Sequence, residues 1–208
     1  MKKEYLIFDF DGTIVESFET ILRILRSISK NFGIDKITDK DIKRFKEMGV
    51  RQSIKDSKIS LIKIPVIVKR VKKMLNKEIA NLSFFSGLRE VFLELKKRKY
   101  NLGILTSNSK DSVEKFLKRN NLDFFEFIYS DSTLFGKDKL LKKLLKKHNI
   151  KPDKVVYFGD EIRDIQAALK LNIKIVAVCW GFNTKKALEK YKPTYLIEKP
   201  SEILALFS

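Results

Sequence analysis

The sequence predicts an α/β protein with a doubly wound parallel sheet and a small all-helical domain inserted into it. Two observations favour this class. From residue 87 onward, short apolar runs alternate with segments of helical periodicity, which is typical of parallel strands joined by covering helices. Between residues 16 and 82 every periodic segment has helical spacing instead. We therefore expect a core domain of residues 1–15 and 83–208 and an all-helical inserted domain of residues 16–82.

The first strand is an apolar run, Tyr5 to Phe8, that ends in Asp9 and Asp11, after which Gly12 permits a turn. Side chains alternate along a strand, so both carboxylates leave the same side. At about 4 Å and an effective dielectric constant near 20, two such charges repel by roughly 4 kcal/mol. A shared proton or a cation is therefore expected between them. Carboxylate and carbonyl oxygens suit Mg²⁺.

Four helical segments are expected in the insert. Thr38 fits an N-cap because an acid, Asp41, follows three residues later. Gly33 and Gly49 each end a periodic segment. The expected helices are residues 18–32, 38–48, 51–58 and 65–79.

The remainder of the chain supplies the sheet and its covering helices. The expected strands are residues 102–105, 127–129, 155–158, 173–179 and 195–197, and the expected helices are residues 88–99, 109–120, 139–148, 161–171, 184–190 and 201–207. Polar residues follow three strands: Asp9 and Asp11 after the first, Thr106 after the second, and Asp160 and Glu161 after the fourth. Doubly wound sheets bind ligands beyond the carboxyl ends of their strands. We therefore expect these side chains to share one site.

Composition excludes several classes. The 208 residues are 44% hydrophobic, enough for one core plus a small domain, and no apolar run reaches the roughly 18 residues of a membrane span. The single cysteine, Cys179, excludes an internal disulfide and a cysteine metal site, and its apolar neighbours indicate a buried thiol at a strand end. The first apolar run is too short for a signal peptide. We expect an unprocessed cytoplasmic chain that has no membrane partner.

The formal net charge of +18 raises the alternative of a basic nucleic-acid-binding module. The lysines, however, are scattered over the solvent-facing positions of nearly every predicted helix. Specific nucleic-acid binding is therefore not expected. A general positive field that attracts anionic substrates is the preferred interpretation.

Four stretches resemble the motifs of the haloacid dehalogenase-like hydrolases, a superfamily dominated by Mg²⁺-dependent phosphatases. The first is Asp9-Phe10-Asp11-Gly12-Thr13. The resemblance implies that Asp9 is the nucleophile and Asp11 the acid/base. Thr106 is similar to the second motif, which donates a hydrogen bond to a phosphoryl oxygen. Ser107 and Asn108 would add donors at the start of the next helix, or serve there only as a helix cap.

The third motif is a lysine that neutralises charge on the phosphate and the nucleophile. Lys137 in Phe135-Gly136-Lys137-Asp138-Lys139 is the first choice, because Gly136 lets the backbone approach. Lys139 is the second choice, since Asp138 stands where many relatives have proline.

The fourth motif resembles Gly159-Asp160-Glu161-Ile162-Arg163-Asp164. The resemblance implies that Asp160 ligates the metal together with the Asp9 carboxylate and the Asp11 backbone carbonyl. Asp164 would hold the Lys137 ammonium. Glu161 would act through a water, or only as a partner of the helix dipole.

The insert has the position and size of the family's helical cap, as in phosphoglycolate phosphatase-like and β-phosphoglucomutase-like members. Gly49-Val50-Arg51 is a candidate specificity loop. Arg51 would reach the substrate, or lie in solvent at a helix start.

The resemblance implies a cytoplasmic Mg²⁺-dependent phosphatase that hydrolyses a small phosphomonoester through an aspartyl-phosphate. The substrate would be phosphoglycolate, a sugar phosphate or a nucleoside monophosphate. Two alternatives stay open: a sugar phosphomutase of the same fold, and a non-catalytic basic binding module. The chain is expected to be a monomer or a homodimer.

Overall fold

A six-stranded parallel sheet forms the centre of the computed structural model, which describes residues 4–34, 36–57, 59–130 and 136–207. The strands lie in the spatial order β3-β2-β1-β4-β5-β6, and every neighbouring pair is parallel. Their bounds are β1 Tyr5–Asp9, β2 Asn101–Thr106, β3 Phe127–Ser130, β4 Val155–Gly159, β5 Lys174–Val178 and β6 Tyr195–Ile197. The predicted α/β class with a parallel sheet is confirmed.

Helices cover the sheet and form the insert. Within the described residues they are α1 Phe18–Ile28, α2 Asp39–Lys55, α3 Ile64–Glu78, α4 Leu88–Lys97, α5 Lys110–Arg119, α6 Lys137–His148, α7 Ile162–Lys170, α8 Lys185–Glu189 and α9 Glu202–Ala205. None of these helices combines the length and the apolar composition that crossing a membrane requires.

The strand order reverses between β1 and β4. The chain builds β1, β2 and β3 outward in one direction and then crosses to β4 on the other side of β1. Loops diverge at such a point and leave a crevice at the carboxyl ends of the two strands. Asp9 ends β1 and Asp160 follows β4, so both acids border that crevice.

The sheet separates two apolar cores, because alternate residues of each strand point to opposite faces. Phe8 and Phe158 belong to one core, where their rings stack with centroids 4.3 Å apart. Ile7 and Tyr157 belong to the other core. Helices α4, α5 and α9 cover the first face, and α6, α7 and α8 cover the second. Burial on both faces explains why the strands read as continuous apolar runs.

The described residues between 16 and 82 form helices and turns without a strand. Helices α1 and α3 pack together through Ile24, Ile28, Val71 and Leu75, which continue into the first core. Helix α2 is interrupted at the predicted position, since Gly49 has φ +77° and ψ +168°. The insert is therefore packed onto the sheet domain rather than separate from it.

Several predicted boundaries are wrong, among them the following three. Helix α6 begins at Lys137, not at residue 139. Helix α1 ends at Ile28, after which Ser29–Phe32 form a 3-10 turn that Gly33 closes in the left-handed conformation. Strand β5 ends at Val178, and Cys179 beyond it is only partly buried.

Candidate active site

Three buried carboxylates lie together at the reversal point of the sheet. Asp9, Asp160 and Asp164 each offer an oxygen, and these oxygens lie within 4.8 Å of one another. Asp9 comes from the end of β1, Asp160 from the turn after β4, and Asp164 from the first turn of α7. All three residues are at most 4% exposed. Such a group needs positive charge among its members.

Lys137 supplies that charge. Its Nζ lies 2.6 Å from Asp9 Oδ2 and 3.0 Å from Asp164 Oδ1. The lysine opens α6 directly after Gly136, which has φ +94°, a conformation that glycine adopts at little cost. Lys139, the second choice from the sequence, is exposed one half-turn further on.

Burial changes the acidity of this cluster. Burial raises the pKa of Asp9 to about 7, although the Lys137 ammonium opposes this shift. Burial, with Glu161 nearby, also raises the pKa of Asp160 well above its ordinary value. Burial alone would lower the pKa of Lys137, but the Asp164 and Asp9 carboxylates raise it. Burial therefore makes Asp9 and Asp160 harder to ionise than they would be in water, and positive charge nearby favours their ionised forms.

Both oxygens of Asp160 are held in place. Oδ1 accepts a hydrogen bond from Thr13 Oγ1 at 2.9 Å, and Oδ2 accepts one from the Phe182 backbone N–H at 2.7 Å. Gly12 and Gly181 make room for this carboxylate, because a Cβ on either glycine would lie within 2.3 Å of Asp160 Oδ2. Gly12 of the first motif thus makes room for Asp160 of the fourth motif.

Asp11 points away from the three-acid group, towards the turn after β2. Its Oδ2 accepts a hydrogen bond of 2.6 Å from Asn108 Nδ2. Asp11 Oδ1 and Asn108 Oδ1 are buried and find no hydrogen-bond partner within the described part of the chain. Burial raises the pKa of Asp11. The neighbouring Ser17 hydroxyl and the Asn108 amide oppose this rise of the Asp11 pKa.

Of the three residues predicted to bind the phosphate after β2, Thr106 and Asn108 are buried and Ser107 is not. Thr106 is buried, and its Oγ1 accepts from the Asn108 backbone N–H at 3.0 Å. Ser107 is partly exposed in the same turn. Ser107 and Asn108 lie in the turn that precedes α5, which begins at Lys110 with Ser109 as its N-cap.

Glu161 is a buried N-cap of α7 rather than a solvent-facing acid. Its backbone N–H donates to Asp164 Oδ2 at 3.1 Å, and its carboxylate accepts from Arg163 Nε at 2.8 Å. Asp164 Oδ1 also accepts from the Tyr157 hydroxyl at 3.2 Å. The position of Asp164 is thus fixed from three sides.

A cleft of about 200 Å³ lies between the insert and the start of α6 and α7. Gly49, Val50 and Arg51 border it on the insert side, and Lys137 and Arg163 on the sheet side. The Arg51 side chain is exposed, and no residue in the described ranges pairs with it. The structure therefore places Arg51 at the mouth of the cleft and not in contact with the acid cluster.

Sequence reasoning missed the loop after β5. Trp180 Nε1 donates to the Thr13 carbonyl at 3.1 Å, Phe182 N–H binds Asp160, and Asn183 is buried beside α7. The signal was present, since Trp180-Gly181-Phe182-Asn183 follows a strand at the same edge of the sheet as the other site residues.

These residues fit a hard divalent cation. Asp9 and Asp160 present carboxylate oxygens close together, and burial raises the pKa of both acids. Oxygen-only donor sets with few protein carboxylates are typical of Mg²⁺ sites.

Comparison with known proteins agrees with this geometry. The haloacid dehalogenase-like hydrolase family model matches residues 6–178. A phosphoglycolate phosphatase of Synechococcus elongatus is 33% identical over 200 residues, which cover 96% of this chain and 94% of that protein. The pyrophosphatase PpaX of Bacillus mycoides is 28% identical over 213 residues, which cover 100% of this chain and 98% of the relative.

Solved structures agree as well. A haloacid dehalogenase-like family hydrolase from Streptococcus pneumoniae is 26% identical and superposes with a TM-score of 0.82, covering 100% of this chain and 99% of that one. The match therefore includes both the sheet domain and the helical insert. On the family model, the relatives and the shared fold, this chain belongs to the haloacid dehalogenase-like hydrolases and is a phosphatase of that superfamily.

Proposed function

We propose that the protein is a Mg²⁺-dependent phosphatase that hydrolyses a small phosphomonoester through a phosphorylated Asp9. One observation carries the proposal. The Lys137 ammonium bridges Asp9 and Asp164 at the reversal point of the sheet, with Asp160 in the same cluster. An ammonium in contact with a carboxylate nucleophile balances the negative charge that an incoming phosphate would otherwise meet.

The reaction has two steps at Asp9. First, a carboxylate oxygen of Asp9 bonds to phosphorus while the bond to the alcohol oxygen breaks, and Asp11 gives that oxygen a proton. Then a water oxygen bonds to phosphorus, Asp11 takes the water proton, and the bond to Asp9 breaks. The amide of Asn108 holds Asp11 at 2.6 Å for both proton transfers.

The Lys137 ammonium would balance negative charge on the phosphoryl oxygens, and the Thr106 hydroxyl would donate a hydrogen bond to one of them. Mg²⁺, held by the Asp9 and Asp160 carboxylates and the Asp11 backbone carbonyl, would supply further positive charge to these oxygens. Asp164 positions Lys137 through an ion pair, in which Asp164 Oδ1 lies 3.0 Å from Lys137 Nζ. Phosphoryl transfer depends mostly on such positioning and charge balance.

The substrate is small and anionic in this proposal. The cleft of about 200 Å³ lies below the roughly 300–1,000 Å³ that is usual for drug-sized ligands. Arg51 and Arg163 border it and would attract a second anionic group on the substrate. The Synechococcus relative is named a phosphoglycolate phosphatase, and phosphoglycolate carries a carboxylate beside its phosphate.

Residues 16–82 act as a cap on a core of residues 1–15 and 83–208 in this proposal. Gly49, Val50 and Arg51 of the insert face the site across the cleft. A cap in this position would exclude water while Asp9 is attacked, which protects the first step from competing hydrolysis.

Phosphate release from p-nitrophenyl phosphate tests the proposal. We expect Mg²⁺-dependent activity in the wild type and a loss of at least about 10³-fold in Asp9→Asn, because the amide is a poor nucleophile. Asp153→Asn makes the same chemical change at an exposed residue and should keep full activity. Equal activity in the two variants would remove Asp9 from its role. A product assay with a sugar phosphate and a bisphosphate primer distinguishes the two enzyme classes: free phosphate indicates a hydrolase, and an isomerised sugar phosphate indicates a phosphomutase.

A further inference from the structure

We propose that Asn183 is a positioning residue that holds the Gly49–Arg51 segment of the insert over the cleft and thereby sets which phosphomonoester is preferred. The inference rests on the proposed function and deepens it by assigning specificity to a residue outside the acid cluster. Asn183 lies in the loop after β5 and is only 1% exposed.

The break in α2 creates the need for this residue. Gly49 leaves the helical conformation, so carbonyl groups just before it lose donors from the next helical turn. Asn183 Nδ2 donates to the carbonyls of Phe45 and Lys46 at 3.2 and 3.1 Å. The Thr184 backbone N–H donates to the Lys46 carbonyl at 2.9 Å. A loop of the sheet domain thus completes a helix end of the insert.

The other end of the same amide is fixed to the acid site. Asn183 Oδ1 accepts from the Ile162 N–H at 2.9 Å, at the first residue of α7. The backbone N–H of Asn183 reaches the Asp160 carbonyl at 3.3 Å. One side chain therefore joins the broken helix of the insert to the turn that carries Asp160 and Glu161. Only an amide offers both a donor and an acceptor in this geometry.

Packing around the amide makes the connection stiff. The rings of Phe18, Phe45 and Phe182 pack together as a triangle, with centroid distances of 5.3 Å (Phe18–Phe182), 6.3 Å (Phe45–Phe182) and 6.0 Å (Phe18–Phe45). Gly49 is buried against this junction, since a Cβ there would lie 3.5 Å from Ile162 Cδ1 and 3.8 Å from Asn183 Oδ1. Loss of the amide should therefore move Arg51 while the contact of Lys137 with Asp9 remains.

Three variants separate these contributions. Asn183→Ala removes both connections, whereas Asn183→Asp keeps an acceptor for the Ile162 N–H but loses the two amide donors. Thr184→Ala is the matched control, because it removes a neighbouring side-chain cap, that of Ala187 N–H, and keeps the backbone N–H that binds Lys46. The control should show a small fall in its thermal unfolding midpoint, because it loses one helix cap.

Hydrogen exchange measures the positional part without any turnover. We expect faster exchange of amides in residues 45–55 for both Asn183 variants. Ile162 should lose protection only in Asn183→Ala. Unchanged exchange in residues 45–55, or equally faster exchange in Thr184→Ala, would overturn the inference.

Kinetics measure the specificity part. The probes are p-nitrophenyl phosphate and whichever of phosphoglycolate, a hexose phosphate and a nucleoside monophosphate the wild type hydrolyses best. For both Asn183 variants, kcat/KM for that metabolite should fall at least about tenfold more than for p-nitrophenyl phosphate, mainly through KM. Thr184→Ala should leave kcat/KM unchanged for both the metabolite and p-nitrophenyl phosphate. Equal losses on both substrates would overturn the inference. A wild type that hydrolyses none of the compounds would instead overturn the proposed function, and hydrogen exchange would then decide the role of Asn183 alone.

Discussion

Lys137 shows how a single side chain organises the acid cluster. Its ammonium contacts one carboxylate from β1 and one from α7, and it is itself largely buried. Breaking such a pair by removing one partner leaves an uncompensated charge in the interior. Lys137 therefore contributes both to the stability of the site and to the charge balance that phosphoryl transfer needs.

We predict that Lys137→Met lowers kcat/KM for p-nitrophenyl phosphate by at least about 10²-fold, because one preorganised cation at a reacting centre has an effect of this size. Lys139→Met is the matched control on the same helix. Since Lys139 is exposed, its variant should stay within about twofold of the wild type. Steady-state kinetics at saturating Mg²⁺ make the measurement, with thermal unfolding to verify folding. The reverse order of effects would make Lys139 the site lysine.

Several site residues could be predicted from the sequence because strand ends are visible in it. Asp9, Thr106 and Asp160 each follow an apolar run and lie at one edge of the sheet. The sequence did not decide between Lys137 and Lys139, because helix propensity does not fix the first residue of a helix within two positions. Asn183 was missed because its partners are 21 and 137 residues away in the chain.

At the scale of elements, α2 has a capping box that the sequence predicts. The Asp41 N–H donates to Thr38 Oγ1 at 3.3 Å, and the Thr38 N–H donates to Asp41 Oδ2 at 2.9 Å. The Thr38 hydroxyl, which donates to Asp41 Oδ2 at 2.6 Å, and the Thr38 N–H lower the pKa of Asp41. The sequence predicts this helix start correctly because all the hydrogen bonds of the capping box join Thr38 and Asp41, which are only three residues apart.

We predict that Thr38→Ala destabilises the protein by about 1 kcal/mol at neutral pH. A carboxyl group with a lowered folded-state pKa stabilises the fold above its ordinary pKa of 3.8 and loses this effect as the pH falls through the folded-state value. The stability difference between wild type and Thr38→Ala should therefore shrink below about pH 4. Urea unfolding at several pH values measures it. Thr20→Ala within α1 is the control and should cost little, whereas a difference that grows in acid would contradict the capping role.

Element boundaries show where local reasoning ends. The glycines at 33 and 49 interrupt the helices where the sequence suggested, and both have a positive φ. The 3-10 turn at Ser29–Phe32 was not foreseen, because apolar spacing of three and four residues fits both a helix and a tight turn that packs the same face. Tertiary packing, not propensity, decides such ends.

At the scale of the whole molecule, the sequence indicated a parallel sheet but not its strand order. Alternating strands and helices are compatible with several orders. The observed reversal between β1 and β4 is what brings Asp9 and Asp160 together. The junction between insert and sheet domain also depends on contacts distant in sequence, such as that of Asn183 with Lys46. Such contacts leave no periodic signal in the chain.

The charge distribution also belongs to this scale. The chain has a formal net charge of +18, whereas its buried acids cluster at one site. A positive exterior around a cleft attracts anionic substrates. An anionic substrate can lie beside the buried acids only if a cation balances their negative charge. Both features suit a phosphate ester more than a neutral substrate.

The central claim is that Asp9 carries the phosphoryl group, and mass spectrometry of acid-quenched Asp11→Asn tests it directly. This variant keeps the nucleophile but lacks the base that activates water, so the aspartyl-phosphate should accumulate with p-nitrophenyl phosphate, whose leaving group needs little acid catalysis. We predict the added mass of one phosphoryl group on the peptide that contains Asp9, and none in the Asp9→Asn, Asp11→Asn double variant. A phosphoryl group on another residue, or turnover without any adduct, would contradict the account.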